Sequence, residues 1–224
     1  MDITKILIAS PTKLELSAFS NVIKDSGLDY IISGVGPGAT AMNLTRAMEK
    51  QRPCVTIIVG IGGGCPGADA GTKDVFLAES EAYGDLGRCT AGGVESVNIP
   101  FEGPEIVFPI REKWPAYLTS GLHDVLAELK VKTAPMVTVS CASANFERAM
   151  EIGLRFGAAV ENMEGAAAAQ VCNRYGVPLL ELRGVSNIAG DPERSKWVVE
   201  EALNKTAMAL SGILTYLKKL SPSD

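Results

Sequence analysis

Two carboxylates and an amide fall where this 224-residue chain turns from strand-like to helix-like or turn-like sequence. Glu15 stands in Ser10-Pro11-Thr12-Lys13-Leu14-Glu15, just after an apolar run. Glu164 stands in Glu161-Asn162-Met163-Glu164-Gly165, ahead of an alanine-rich stretch. Asn187 closes Arg183-Gly184-Val185-Ser186-Asn187. A carboxylate can take a proton from water or stabilise positive charge, and an amide can donate and accept hydrogen bonds at once. Each position also has a plain structural use. The first turn of a helix favours an acid such as Glu15 or Glu164, and Asn187 suits a cap or turn.

Composition restricts the alternatives. The one histidine, His123, excludes a metal site built from two or more imidazoles, and a Ser-His-Asp or Cys-His mechanism would have to use that ring. It lies beside the Leu118, Leu122, Val125, Leu129 stripe of a predicted helix, which suits a structural or solvent-facing residue. With 21 basic and 26 acidic side chains the net charge is -5, which argues against a general nucleic-acid binder and for a small or neutral ligand. No apolar run reaches the roughly 18 residues needed to span a bilayer, so no membrane partner is expected. The start, Met-Asp-Ile-Thr-Lys, has no basic segment followed by an apolar one, and the five widely spaced cysteines include no C-x-x-C pair. These features suit free thiols in a reducing, cytoplasmic setting.

The elements that must position the acids are short and alternating. Apolar runs at 5–9, 30–35 and 55–61 have strand length and β-branched residues, and each is expected to be buried on both faces. Helical spacing covers 13–24 and 39–50 between them, giving a βαβαβ start. Further strands are predicted at 75–82, 136–140, 158–162 and 178–185, and helices at 114–129, 146–156, 165–175 and 194–220. The segment 75–140 breaks simple parallel alternation, so a mixed sheet flanked by helices is expected rather than a barrel of eight repeats. No repeat or long linker divides residues 1–224, which read as a single domain. The most flexible stretches are expected at 88–103 and 190–195.

Glycine is enriched at 23 residues. Gly62-Gly63-Gly64-Cys65-Pro66-Gly67 matches G-x-G-x-x-G after a strand, yet Pro66 and Ala68-Asp69-Ala70-Gly71-Thr72-Lys73 lead into another strand instead of opening a helix. A dinucleotide site is therefore rejected. Gly71-Thr72-Lys73 fails the P-loop pattern as well. Gly34-Val35-Gly36-Pro37-Gly38 and Gly60-Ile61-Gly62-Gly63-Gly64 remain as turns at strand ends, where open α/β sheets bind ligands and where bare backbone can approach one. Tight turns without a ligand would look the same.

Together, Glu-Asn-Met-Glu-Gly-Ala-Ala from Glu161, Arg-Gly-Val-Ser-Asn at 183–187 and the two glycine clusters resemble the nucleoside phosphorylase and nucleosidase superfamily, and within it the futalosine hydrolase family. The resemblance runs over nearly the whole chain. It implies a single three-layer α/β domain with a central mixed, partly barrel-like sheet flanked by helices, assembled as a homo-oligomer. It also implies cleavage of futalosine to hypoxanthine and dehypoxanthine futalosine, a step of an alternative menaquinone route, with no cofactor and no metal.

By the same resemblance Glu15 activates the attacking water, Glu164 binds the ribose 2′ and 3′ hydroxyls with Met163 against the sugar, and Asn187 contacts the purine near N7. Adenine-releasing relatives usually carry Asp at that last position. An amide can donate to a 6-oxo group, so Asn187 favours hypoxanthine as the leaving base, with its proton drawn from solvent or from Asp191. The expected substrate-binding set is Val35, Gly62, Gly63, Phe146, Asn162, Met163 and Ser186. Phe146 is either a base-stacking or a core aromatic, and Trp197 either closes over the substrate or anchors a helix or subunit contact. Such a C–N cleavage passes through an oxocarbenium-like state that nearby carboxylates stabilise. An inosine phosphorylase and a non-catalytic nucleoside-binding protein are the alternatives. The phosphorylase would need arginines around an anion, where this chain has Pro11-Thr12-Lys13-Leu14-Glu15.

Overall fold

The computed structural model describes residues 5–90, 93–95 and 106–220. Its strands are β1 (Ile6–Ser10), β2 (Asp29–Ile32), β3 (Val55–Gly64), β4 (Val75–Tyr83), β5 (Arg88–Thr90), β6 (Gly93–Glu95), β7 (Val107–Pro109), β8 (Lys132–Thr138), β9 (Val160–Asn162) and β10 (Leu179–Ile188). Its helices are α1 (Lys13–Ala18), α2 (Ser20–Ser26), α3 (Pro37–Lys50), α4 (Ala116–Glu128), α5 (Phe146–Phe156), α6 (Gly165–Tyr175) and α7 (Val199–Lys219).

Five strands close on themselves in the order β3-β10-β4-β8-β9 and back to β3. The partly barrel-like mixed sheet expected from the resemblance is this ring. Outside it, β1 and β2 extend the sheet in parallel from β3 as an open wing, and β7 lies along β4. β3 makes the arrangement possible by changing neighbours. Residues Val55 to Ile58 pair with β1, Gly63 and Gly64 pair with β9, and β10 follows the other edge throughout. A topological change of this kind leaves a crevice at strand ends.

The crossing requires glycines inside β3. A Cβ on Gly62 would sit 2.6 Å from Val160 and 2.8 Å from the Glu161 carbonyl, and one on Gly64 would sit 2.5 Å from the Ala70 carbonyl. Gly62-Gly63-Gly64 is therefore strand where three neighbours crowd one chain, not a turn after a strand.

Four differences between the predicted and the observed elements bear on the architecture. The helix expected over 13–24 breaks at Phe19, whose fully buried ring ends α1 and begins α2. β2 is an edge strand with Asp29, Tyr30 and Ile32 exposed, not one buried on both faces. The last helix starts at Val199, after a 3-10 turn at Arg194–Lys196. β8 begins four residues earlier than expected, its polar start carried by pairing with β4. Of the stretches expected to be flexible, Arg88–Thr90 and Gly93–Glu95 form a hairpin, whereas 91–92 and 96–103 lie outside the described residues. No described helix is long and apolar enough to cross a membrane.

Candidate active site

A cavity of about 320 Å³ opens where β3 exchanges β1 for β9. Glu15, Asn162, Met163, Glu164, Ser186 and Asn187 line it, together with Val35, Gly62 and Gly63. The chain thus brings together residues more than a hundred positions apart. Leu14 and Val35, 67% and 55% exposed, put apolar surface at its mouth.

Glu15 is delivered by the short helix α1. Thr12 caps that helix, its hydroxyl accepting from the Glu15 N–H at 3.1 Å. The Thr12 hydroxyl in turn donates to Glu15 Oε2 at 2.6 Å, while the Ile61 N–H donates to Oε1 at 3.1 Å. Threonine followed three residues later by glutamate usually forms a reciprocal capping box. Here the carboxylate reaches across to β3 instead, and Gly60 leaves it room: a Cβ there would lie 2.7 Å from Glu15 Oε1.

Glu164 is the residue before α6, and both its oxygens are claimed. Oε1 accepts from the Gly36 N–H at 3.0 Å and Oε2 from Arg183 Nη1 at 3.0 Å. Gly36, at φ 86°, sits in a backbone conformation that favours glycine, and it turns its N–H toward the acid. Asn187 follows a bulge in β10. Its Oδ1 accepts from the Ser186 hydroxyl at 2.8 Å and its Nδ2 donates to the Ile188 carbonyl at 3.0 Å. One Nδ2 proton and one Oδ1 lone pair are left for a ligand.

Asn162 lines the cavity, yet its side chain serves the protein. Oδ1 accepts from the N–H groups of Glu164 and Gly165 at 2.9 and 2.8 Å, which caps α6. Its Nδ2 donates to Glu81. Phe146 does not line the cavity: it is the first residue of α5, 46% exposed. Trp197, 40% exposed, does line it. Asp191 lines it too, but its Oδ1 accepts from the Glu193 N–H at 2.9 Å and its Oδ2 lies 3.9 Å from the Lys196 ammonium. His123 lies away from all of this, its side chain 77% exposed beside Asp124.

Several charged residues in and behind the cavity wall were absent from the predicted set. Arg183 is fully buried and joins Glu181 (2.9 Å from Nε) to Glu164. Its guanidinium is raised still further in pKa by those two carboxylates, against the opposing effect of burial. Beneath it, Glu81 and Glu181 are buried side by side. Burial and the Glu181 charge hold the Glu81 carboxyl well above the usual carboxylate range, although Asn162 and Thr138 hydrogen-bond it. Glu181 is raised by burial and partly restored by Arg183, so the shared proton belongs on Glu81. Gly165 is required here, because any Cβ would meet both carboxyls. Glu161, also on the cavity wall, accepts from the Ser143 N–H and hydroxyl at 2.9 and 2.6 Å. An arginine and two glutamates within apolar strands were the available signal. Burial pushes the Cys65 and Cys172 thiols up to about 12, which makes poor nucleophiles of them. All five cysteines are free.

The model of the phosphorylase superfamily matches residues 24–217. This chain belongs to the phosphorylase superfamily. Among its superfamily relatives is the futalosine hydrolase of Thermus thermophilus, 31% identical over 219 residues that cover 93% of this chain and 94% of the relative. The futalosine hydrolase of Streptomyces coelicolor is 32% identical over 205 residues, covering 88% and 83%. The fold of a solved Helicobacter pylori futalosine hydrolase mutant superposes with a TM-score of 0.78 at 19% identity, covering 95% of this chain and 99% of that one. The resemblance carried by Met163-Glu164-Gly165-Ala166 and Arg183 to Asn187 is borne out by these matches, as is the α/β architecture of this superfamily member.

Proposed function

We propose that the protein is an N-ribosyl hydrolase that cleaves futalosine to hypoxanthine and dehypoxanthine futalosine. One observation carries this over the phosphorylase alternative: three glutamates, an aspartate and two asparagines line the cavity, and no lysine or arginine does among the described residues. Arg183 behind the wall is already committed to Glu164 and Glu181. A phosphate nucleophile would meet carboxylates with no free cation, whereas water meets a base. The relatives at 31% and 32% identity, both futalosine hydrolases, support the same substrate.

In this reading Glu15, fixed by Thr12 and Ile61, takes a proton from water as it attacks the anomeric carbon. Glu164 accepts from the ribose hydroxyls, and its charge favours the oxocarbenium-like transition state. Arg183 keeps Glu164 in place. Asn187 donates to the 6-oxo group of the departing base, which takes its proton from solvent, while Asp191 remains a loop clamp. Val35, Met163, Ser186, Gly62 and Gly63 form the walls, and no cofactor enters.

The exposed apolar Leu14 and Val35 at the mouth suit cover by a second copy, so the protein is read as a homo-oligomer. Its free thiols suit a cytoplasmic enzyme of menaquinone synthesis. Incubation with futalosine in phosphate-free buffer tests the activity. Hypoxanthine release is expected, and release that requires phosphate and yields a ribose 1-phosphate product would overturn it. Tight binding with no turnover would leave a binding protein.

A further inference from the structure

Glu161 has no part in the hydrolysis described above, yet it lines the cavity and is 6% exposed. Its place is set by register. Glu161 and Asn187 are both partners of Gly63, one from β9 and one from β10. Their backbones therefore flank a residue without a side chain, about 10 Å apart across two strand spacings. Ala189 fills the space directly on Gly63, and a flat ring in the cavity between the two strands would have the amide on one side and the carboxylate on the other.

The carboxylate is held rigidly. Its oxygens accept from the Ser143 N–H and hydroxyl, and Arg148 Nη1 donates to that hydroxyl at 2.8 Å. Asp85 fixes the same loop, accepting from the N–H groups of Ser140 and Cys141 at 2.8 and 3.1 Å and facing Arg148 Nη2 at 3.6 Å. A carboxylate has about four acceptor sites and no donor, so two sites remain for a ligand.

We propose that Glu161 is the specificity-determining residue that selects a 6-oxopurine, by accepting a hydrogen bond from its N1–H while Asn187 donates to O6. The assignment rests on the nucleosidase reading and deepens it. A 6-oxopurine offers an acceptor at O6 and a donor at N1. A 6-aminopurine offers a donor at N6 and a bare lone pair at N1. A carboxylate matches the first and repels the second, and a buried site that leaves polar groups unmatched discriminates strongly. Asn187 alone supplies only half of this match, because its one free Nδ2 proton reads O6 and leaves N1 unread.

Calorimetry of hypoxanthine and adenine binding to the wild type, E161Q and Ser143→Ala tests the assignment without requiring turnover. The wild type should prefer hypoxanthine. E161Q, whose amide can donate to the adenine N1, should narrow or invert that preference by about tenfold or more. Ser143→Ala removes one donor to the carboxylate while leaving its charge and acceptor character, and should weaken both bases alike. An unchanged hypoxanthine to adenine ratio in E161Q, equal to that in Ser143→Ala, would make Glu161 a loop clamp and overturn the proposal. With the wild type, 1-methylhypoxanthine binding as tightly as hypoxanthine overturns it with no variant involved. A wild type that binds neither base removes the nucleosidase reading itself, and the assignment with it.

Discussion

Arg183 and Glu164 meet at 3.0 Å with the arginine wholly buried, so the acid assigned to the ribose is held by a cation that solvent never reaches. The same guanidinium holds Glu181 at 2.9 Å. A buried pair is costly to break, because the partners left behind keep their charge without compensation. Arg183→Met should lower unfolding stability by roughly 3–5 kcal/mol, measured by urea denaturation. A loss under 1 kcal/mol would mean that water or another group takes over the carboxylates.

Glu15→Gln preserves the shape and the acceptor for the Ile61 N–H while removing the base. Turnover of futalosine should fall by about 10²- to 10⁴-fold, with the substrate Kd within about threefold. Rates near wild type would place the base elsewhere.

Asn187→Asp converts a group that can donate to O6 into one that only accepts when ionised. The ratio of kcat/KM for 6-oxo over 6-amino nucleosides should drop by about tenfold or more, in line with the worth of a matched base contact. An unchanged ratio would count against this residue as a reader of the base.

The Glu81 and Glu181 pair predicts a pH dependence of stability. In the folded protein Glu81 keeps its proton well above its ordinary value of 4.5, whereas the unfolded chain releases it there. The folded state then binds more protons than the unfolded one. The stability from this group is complete below about pH 4.5 and is lost as pH rises through the raised value. Above pH 4.5, unfolding free energy should decline with this contribution until the raised value is passed, by up to about 1.4 kcal/mol per pH unit. In Glu81→Gln that part of the slope should vanish, and superimposable pH profiles of the two proteins would show that the proton is not held.

Much of this was legible in the sequence, for reasons tied to particular residues. The helices Phe146–Phe156 and Gly165–Tyr175 were predicted with the observed bounds, because Asn145 and the Gly157 and Gly176 stops punctuate them. Glu15, Glu164 and Asn187 were singled out because each lies within a few residues of a strand end, and strand ends are where the cavity forms. Arg183, Glu181 and Glu81 were not, since a charged residue alternating with leucine or alanine looks like the wet face of a strand. Their faces become interior only when β10 pairs with β3 on one edge and β4 on the other. Phe146 was placed in the site by resemblance, and the turn of α5 carries it outside the cavity lining.

The cavity straddles a seam. Glu15 and Gly36 come from the open wing of β1, β2 and their helices, whereas Glu161 and Asn187 belong to the closed ring and Glu164 lies just beyond its strand β9, after Met163. On the proposed function, water activation sits in the wing and base recognition in the ring, and the two are tied across the seam by the Ile61 N–H on Glu15 and the Gly36 N–H on Glu164. On that proposal, loss of packing at the buried Leu44 or Met48 of α3 is expected to reach Glu164 through Gly36 and so to impair cutting more than capture of the purine.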